Sequence, residues 1–245
     1  MSGHSKWATI KHKKGATDAK RGKIFSKMVK EITVAARDGG DMQSNARLRV
    51  IVQKAKDANM PAENIDRAVK KGTGELPGVV YEEMVYEGYA PCGVALLIQT
   101  LSDNKNRTSS EVRSTLDKRG GKMANPGAVA YLFHHKGVIL IESSKADEET
   151  LMDLVLNAGA EDMVLDGEIF EVTAGFKEFE AVRKAIEGAS IEFLSAELAM
   201  VPDTSIKIEA ADAPRILALV EALEDLDDVQ TVSANFDIPD ELLEA

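Results

Sequence analysis

The 245-residue sequence contains a single cysteine, Cys92, which rules out an internal disulfide and a thiolate zinc cluster. Aromatic residues make up only 5% of the chain, and Trp7 is its one tryptophan. No apolar run approaches the roughly 18 residues needed to cross a bilayer, and residues 1–36 lack the apolar stretch and small-residue cleavage site of a secretory signal. The expected compartment is the cytoplasm, with no membrane partner. Neither G-x-x-x-x-G-K-S/T nor G-x-S-x-G occurs. His4 and His12 have no i,i+4 spacing and no thiol nearby, and the adjacent pair His134-His135 points to opposite sides of a strand. The acidic runs Asp147-Glu148-Glu149 and Glu224-Asp225-Leu226-Asp227-Asp228 match no calcium loop and read as solvated faces. No metal site is expected.

Apolar residues at 44% and charged residues at 29% are ordinary for globular proteins, and the length suggests two or three domains, each with its own core. The net charge of −11 would discourage contact with nucleic acid if it were spread evenly. It is not. Residues 1–73 carry 17 Lys and Arg against 7 Asp and Glu, a balance of +10, whereas the remainder carries 13 against 34, a balance of −21.

Helical spacing runs from Asp18 to Ala36, with Ile24, Phe25, Met28, Val29, Ile32 and Ala36 on one face and Lys20, Lys23, Lys27 and Lys30 on a separate arc. A second helix is expected from about Ser44 to Asn59, burying Leu48, Ile51, Val52 and Ala55 between flanking Arg47, Arg49, Lys54 and Lys56. Pro61 suits the first turn of a third helix and Gly72 its C′ position. Gly72 to Gly78 reads as a linker. Beyond it, residues 80–88 and 93–100 read as strands around Tyr89-Ala90-Pro91-Cys92, and Thr108 to Arg119 as a helix opened by the capping box Thr108-x-x-Glu111. Residues 137–199 run strand, helix, strand, strand, helix, strand, the ferredoxin-like βαββαβ order. Strand Ser205 to Glu209, helix Pro214 to Leu223 and strand Val229 to Ala234 follow.

The expected fold class is α+β: an N-terminal helical domain followed by two small α/β domains, one ferredoxin-like and inserted into the other. The expected boundaries are 1–75 for the basic tail and three-helix domain, 80–133 plus 200–238 for the discontinuous domain, and 136–199 for the ferredoxin-like unit.

Chemistry concentrates at the N-terminus. Lys6, Lys11, Lys13 and Lys14 surround Trp7, and Lys20, Arg21, Lys23, Lys27 and Lys30 continue the positive charge along the first helix. Lysines neutralise phosphates and an indole can stack on a splayed base. The plainer alternative is a solvated basic tail with Trp7 packed against the helix. A second basic patch is expected from Lys105, Arg107, Arg113, Lys118 and Arg119. An enzyme would use Asp103 as base with Lys105 or Arg107 holding an anion, but helix capping explains the same loop, so no enzyme and no small-molecule substrate are expected.

Several segments resemble the YebC/PmpR family, which includes the mitochondrial translational activator of cytochrome oxidase. They are Gly3-His4-Ser5-Lys6-Trp7, Asp18-Ala19-Lys20-Arg21-Gly22-Lys23-Ile24-Phe25, Tyr86-Glu87-Gly88-Tyr89, Leu101-Ser102-Asp103-Asn104-Lys105-Asn106-Arg107-Thr108, Ala158-Gly159-Ala160-Glu161-Asp162 and Asp227-Asp228-Val229-Gln230. Ala124 and Ala128 depart from the family's usual Gly and Ser. The resemblance implies a three-domain cytoplasmic protein without catalytic activity or cofactor. Some members are labelled DNA-binding transcriptional regulators; others act in translation at the ribosome, including relief of stalling at proline-rich sequences. Base readout ordinarily needs a recognition element in the major groove. The only helix-turn-helix that can be drawn here, through Gly39-Gly40, has basic residues on both flanks of its second helix, which suits phosphate contact more than base reading. The residues therefore favour ribosomal or other structured RNA, with ribosomal proteins as further partners, and promoter DNA is the alternative.

Overall fold

The structure, a computed structural model, describes residues 18–238, with side chains from residue 22 onward. Three helices open it: α1 (Asp18–Ala35), α2 (Ala46–Asp57) and α3 (Ala62–Gly72). They pack around Met28, Ile32, Leu48, Val52, Ile65 and Ala68, the residues that helical spacing places on their inner faces. Asn45 fastens the first corner. Its side-chain oxygen accepts from the Leu48 N–H at 3.0 Å as the N-cap of α2, and its amide donates to Ala35 O at 2.7 Å and Gly39 O at 2.8 Å.

Gly72 departs from its expected role. It is the last residue of α3 rather than its C′ residue, and a Cβ there would lie 2.4 Å from Thr33 O and 2.6 Å from Ala36 Cβ. Close approach of α1 and α3 requires it, while Gly74, at φ +83°, takes the left-handed position.

The central domain is a four-stranded sheet of order β3-β1-β2-β9, built from β1 (Glu82–Tyr89), β2 (Ala95–Ser102), β3 (Lys122–Met123) and β9 (Val229–Ala234). Its inner face packs on α4 (Lys105–Lys118) and α7 (Ala213–Glu224) through Leu96, Ile98, Val112, Leu116, Ile216 and Leu219. Asn104, not Thr108, caps α4, its side chain accepting from the Arg107 N–H at 3.1 Å. Thr108, the expected start, lies inside the helix, three residues beyond its first residue Lys105, and is held by a carboxylate described below. The expected strand at 205–209 is shortened to β8 (Ile206–Lys207), which pairs in parallel with β10 (Phe236–Asp237) as a separate ribbon.

Between β3 and β8 lies the inserted unit: β4 (Phe133–Glu142), α5 (Glu148–Asn157), β5 (Ala160–Asp166), β6 (Ile169–Gly175), α6 (Phe179–Gly188) and β7 (Ser195–Pro202). All its pairings are antiparallel in the order β5-β6-β4-β7, the ferredoxin-like arrangement. Ile139, Ile141, Phe170 and Val172 face Leu151, Val155, Val182 and Ile186 of the two helices. Gly137 lets α6 settle, since a Cβ there would lie 2.2 Å from the Phe179 ring.

Candidate nucleic-acid interface

Helix spacing gives α1 two faces, and three lysines of the cationic face, Lys23, Lys27 and Lys30, reach the central domain. Lys27 Nζ donates to Glu224 O at 2.6 Å, Lys23 Nζ to Asp225 O at 3.1 Å, and Lys30 Nζ to Asp227 O at 2.9 Å. These carbonyls end α7 and begin the loop after it. The last carbonyls of a helix lack intrahelical partners and carry the negative end of its dipole, so cations there contribute about 0.3–2 kcal/mol each. The N-terminal domain is thereby seated on the central one. Arg47 of α2 pairs with Glu83, and Lys54 approaches Glu197 of the inserted unit at 3.8 Å, so the helical domain touches both others.

Asp228 sits at the centre of this junction, 2% exposed. One carboxylate oxygen accepts from Lys30 Nζ at 2.7 Å; the other accepts from Arg107 Nη2 at 2.7 Å, Thr108 Oγ1 at 2.8 Å and Ser102 Oγ at 2.9 Å. Burial alone would raise its pKa, but the hydrogen bonds from Lys30, Arg107, Thr108 and Ser102 outweigh it and hold the carboxyl far below the usual carboxylate range. One side chain thus ties together the end of β2, the first turn of α4, the start of β9 and α1.

The same cluster decides the fate of the second basic patch. Arg107 bridges Asp228 and Asp103, the latter at 2.7 Å, and those hydrogen bonds raise its already high pKa. Asp103, the base an enzyme would need, is engaged in that ion pair. Lys105, Arg113, Lys118 and Arg119 are exposed on or just beyond α4.

Of the expected site residues, Lys6, Trp7, Lys11, Lys13 and Lys14 lie outside the described residues, as do His4 and His12. Lys20 and Arg21 belong to α1, but their side chains are likewise outside that description. His134 and His135 diverge as expected, His134 meeting Asp203 at 2.7 Å and His135 standing edge-on to Phe176.

A feature that the sequence reading passed over is a cleft of about 490 Å³ between α1, α3 and Tyr81. Phe25 and Lys30 contribute from α1, and Asn64, Arg67 and Lys71 from α3. None of the described residues lining it is acidic. Asn64, Arg67 and Lys71 recur at helical spacing, a pattern visible in the sequence, whereas Tyr81 stands at the end of the linker and nothing local announces its destination.

The chain matches the family model described as the TACO1/YebC protein N-terminal domain over residues 5–75, and that of the TACO1/YebC second and third domain over residues 81–236. A relative from Desulforapulum autotrophicum, named a probable transcriptional regulatory protein, is 53% identical over the full length of both chains. One of the same name from Treponema pallidum is 53% identical across 99% of this chain and 100% of its own. The crystal structure of a conserved hypothetical protein from Aquifex aeolicus superposes with a TM-score of 0.82 at 43% identity, covering 93% of this chain and 95% of the other. With its helical domain, its split central sheet and its inserted ferredoxin-like unit all falling within these matches, the chain belongs to the TACO1/YebC family.

Proposed function

We propose that the protein is a cytoplasmic, non-catalytic regulator of gene expression that works by binding nucleic acid through its N-terminal domain, acting on transcription. The observation that carries this reading is the division of charge: a balance of +10 over residues 1–73, whose described part from Asp18 folds as its own helical domain, against −21 over the remainder. A polyanion is attracted to one part of such a molecule and repelled by the rest, which orients it before contact. The names of the curated relatives, probable transcriptional regulatory proteins, support the transcriptional form of the reading.

A translation role at the ribosome is the second reading, and the acidic domains favour it. A long uniform duplex meets the −21 portion as a repulsive surface, whereas a ribosome presents RNA beside basic proteins that can face it. Crosslinking and sequencing of nucleic acid bound in cells, combined with sedimentation across a ribosome gradient, separates the two. Discrete promoter peaks without ribosome association support transcription; enrichment on ribosomal RNA with co-sedimentation replaces it by translation. Binding to neither, or affinity that is flat with salt, overturns the nucleic-acid reading.

A further inference from the structure

We infer that the cleft between α1, α3 and Tyr81 receives one unpaired nucleotide of a single-stranded nucleic acid, its base lying on the Tyr81 ring and its flanking phosphates on Arg67 and Lys71. The inference rests on the nucleic-acid reading above and gives it a site. The chemistry of the lining is selective. Three cations, two aromatic rings and an amide meet in one recess without an acidic neighbour on its wall, in a chain whose net charge is −11. Another cleft of similar size, near 500 Å³ between the loop after α1 and α2, also has cations, Arg49 and Lys56, but no ring. Aromatic faces accept any base, and cations beside them hold the backbone, which is the combination used on single strands.

Each group is suited to its part. Lys30 is fixed by Asp228 and Asp227, and its ammonium stands 5.7 Å from the centre of the Tyr81 ring, so ring and charge are held together before any ligand arrives. Phe25 packs into the helical core and forms an apolar floor. Among the described residues Arg67 pairs with exposed Glu63, at 3.2 Å one turn away, a pairing weak enough to exchange for phosphate. Asn64 and Lys71 are exposed on the same side of α3. A recess of this kind admits a base only when it is free of its partner, which selects single strands over duplex.

The test uses the full chain and single-stranded oligonucleotides carrying 2-aminopurine, whose fluorescence is quenched by stacking, in DNA and RNA versions of one sequence, with a blunt duplex for comparison. The unaltered protein is expected to quench the probe and to bind single strands more tightly than duplex; the arm that quenches more strongly identifies DNA or RNA as the natural ligand. Tyr81→Leu is expected to abolish quenching and weaken binding roughly five- to a hundredfold. Tyr81→Phe, which keeps the ring, is expected to retain quenching and guards against a folding artefact. Arg67→Gln with Lys71→Gln is expected to weaken binding and to flatten the salt dependence by about one to two charges, whereas Lys56→Gln in the other cleft leaves quenching intact. If the protein binds but Tyr81→Leu and the Arg67/Lys71 pair alter neither quenching nor affinity, the cleft is not the site and the nucleic-acid reading survives. Equal affinity for duplex without quenching overturns the inference as well. If the unaltered protein binds no strand of either kind, both readings fall together.

Discussion

Lys30 and Asp228 meet at 2.7 Å across the junction of the helical and central domains, each largely withdrawn from water. An isolated pair so placed would recover little of its desolvation cost. This one is completed by Arg107, Thr108 and Ser102, so that every oxygen of the carboxylate is used. Removing Asp228 takes the shared carboxylate from two cations, leaving Lys30 with backbone carbonyls and Arg107 with the more exposed Asp103; removing Lys30 leaves the carboxylate three partners. Asp228→Ala is therefore expected to destabilise the protein by about 3–5 kcal/mol, and Lys30→Met by less. Urea unfolding of the two variants checks the order.

The pH dependence has a definite sign. The Asp228 carboxyl is held far below its ordinary value in the folded chain, so its contribution is complete above the value near 4 that it takes when unfolded and falls away as the pH is lowered beneath that. Acid unfolding monitored by circular dichroism should show this loss in the unaltered protein and a flatter profile in Asp228→Asn. An identical acid limb in both would remove Asp228 from the account.

Lys23 and Lys27 hold the carbonyls at the end of α7, so reversing their charge acts on domain seating before it acts on any ligand. Lys23→Glu with Lys27→Glu is expected to loosen the helical domain and speed proteolysis in the 73–81 segment, while the helical domain keeps its circular dichroism signal. Unchanged cleavage there would mean that the lysines do not hold the junction.

Two glycines test the domains separately. Gly72→Ala forces a methyl group against Thr33 O and Ala36 in the helical domain, and Gly137→Ala forces one into the Phe179 ring in the inserted unit. Overpacking of this kind costs about 1–3 kcal/mol. Hydrogen exchange should register the first in α1 and α3 and the second in β4 and α6, with little spread between them.

Glu87 is buried and accepts the N–H groups of Gly127 and Val129 at 2.6 Å and of Ala130 at 2.9 Å. Burial pushes its carboxyl up, yet these donors prevail and hold it below the ordinary value. Glu87→Gln loses charge-assisted bonds and is expected to cost about 2–3 kcal/mol. The Val129 and Ala130 amides are expected to exchange faster in the variant than in the unaltered protein, as hydrogen exchange would show.

The parts of the fold that were legible in the sequence are those dictated by neighbours along the chain. The apolar faces of α1 and α2 follow from spacing, and the strand and helix patterns read over residues 137–199 announce the ferredoxin-like order. Local rules competed at Asn104 and Thr108, both good capping residues; the first won because Asp228, far away in sequence, engages the second. Gly72 was misread for the same reason, since what constrains it is Thr33 on another helix. The site was less legible than the fold. That the lysine arc of α1 would meet the end of α7 depends on how two domains pack, and periodicity carries no information about that.

The insertion has a further consequence, in the timing of synthesis. Asn235 Oδ1 accepts from the Ala95 N–H at 2.7 Å across 140 positions of sequence, and β2 finds its partner β9 only after the whole inserted unit has been made. At ordinary elongation rates the nascent chain waits on the order of ten seconds between completing β2 and completing β9. During that interval β2 has β1 and α4 beside it but neither its β9 edge partner nor α7, and Asp228, onto which the helical domain is to be seated, does not yet exist. The inserted unit, whose strands are contiguous in the chain, can fold in the meantime and bring the two ends of the central domain together.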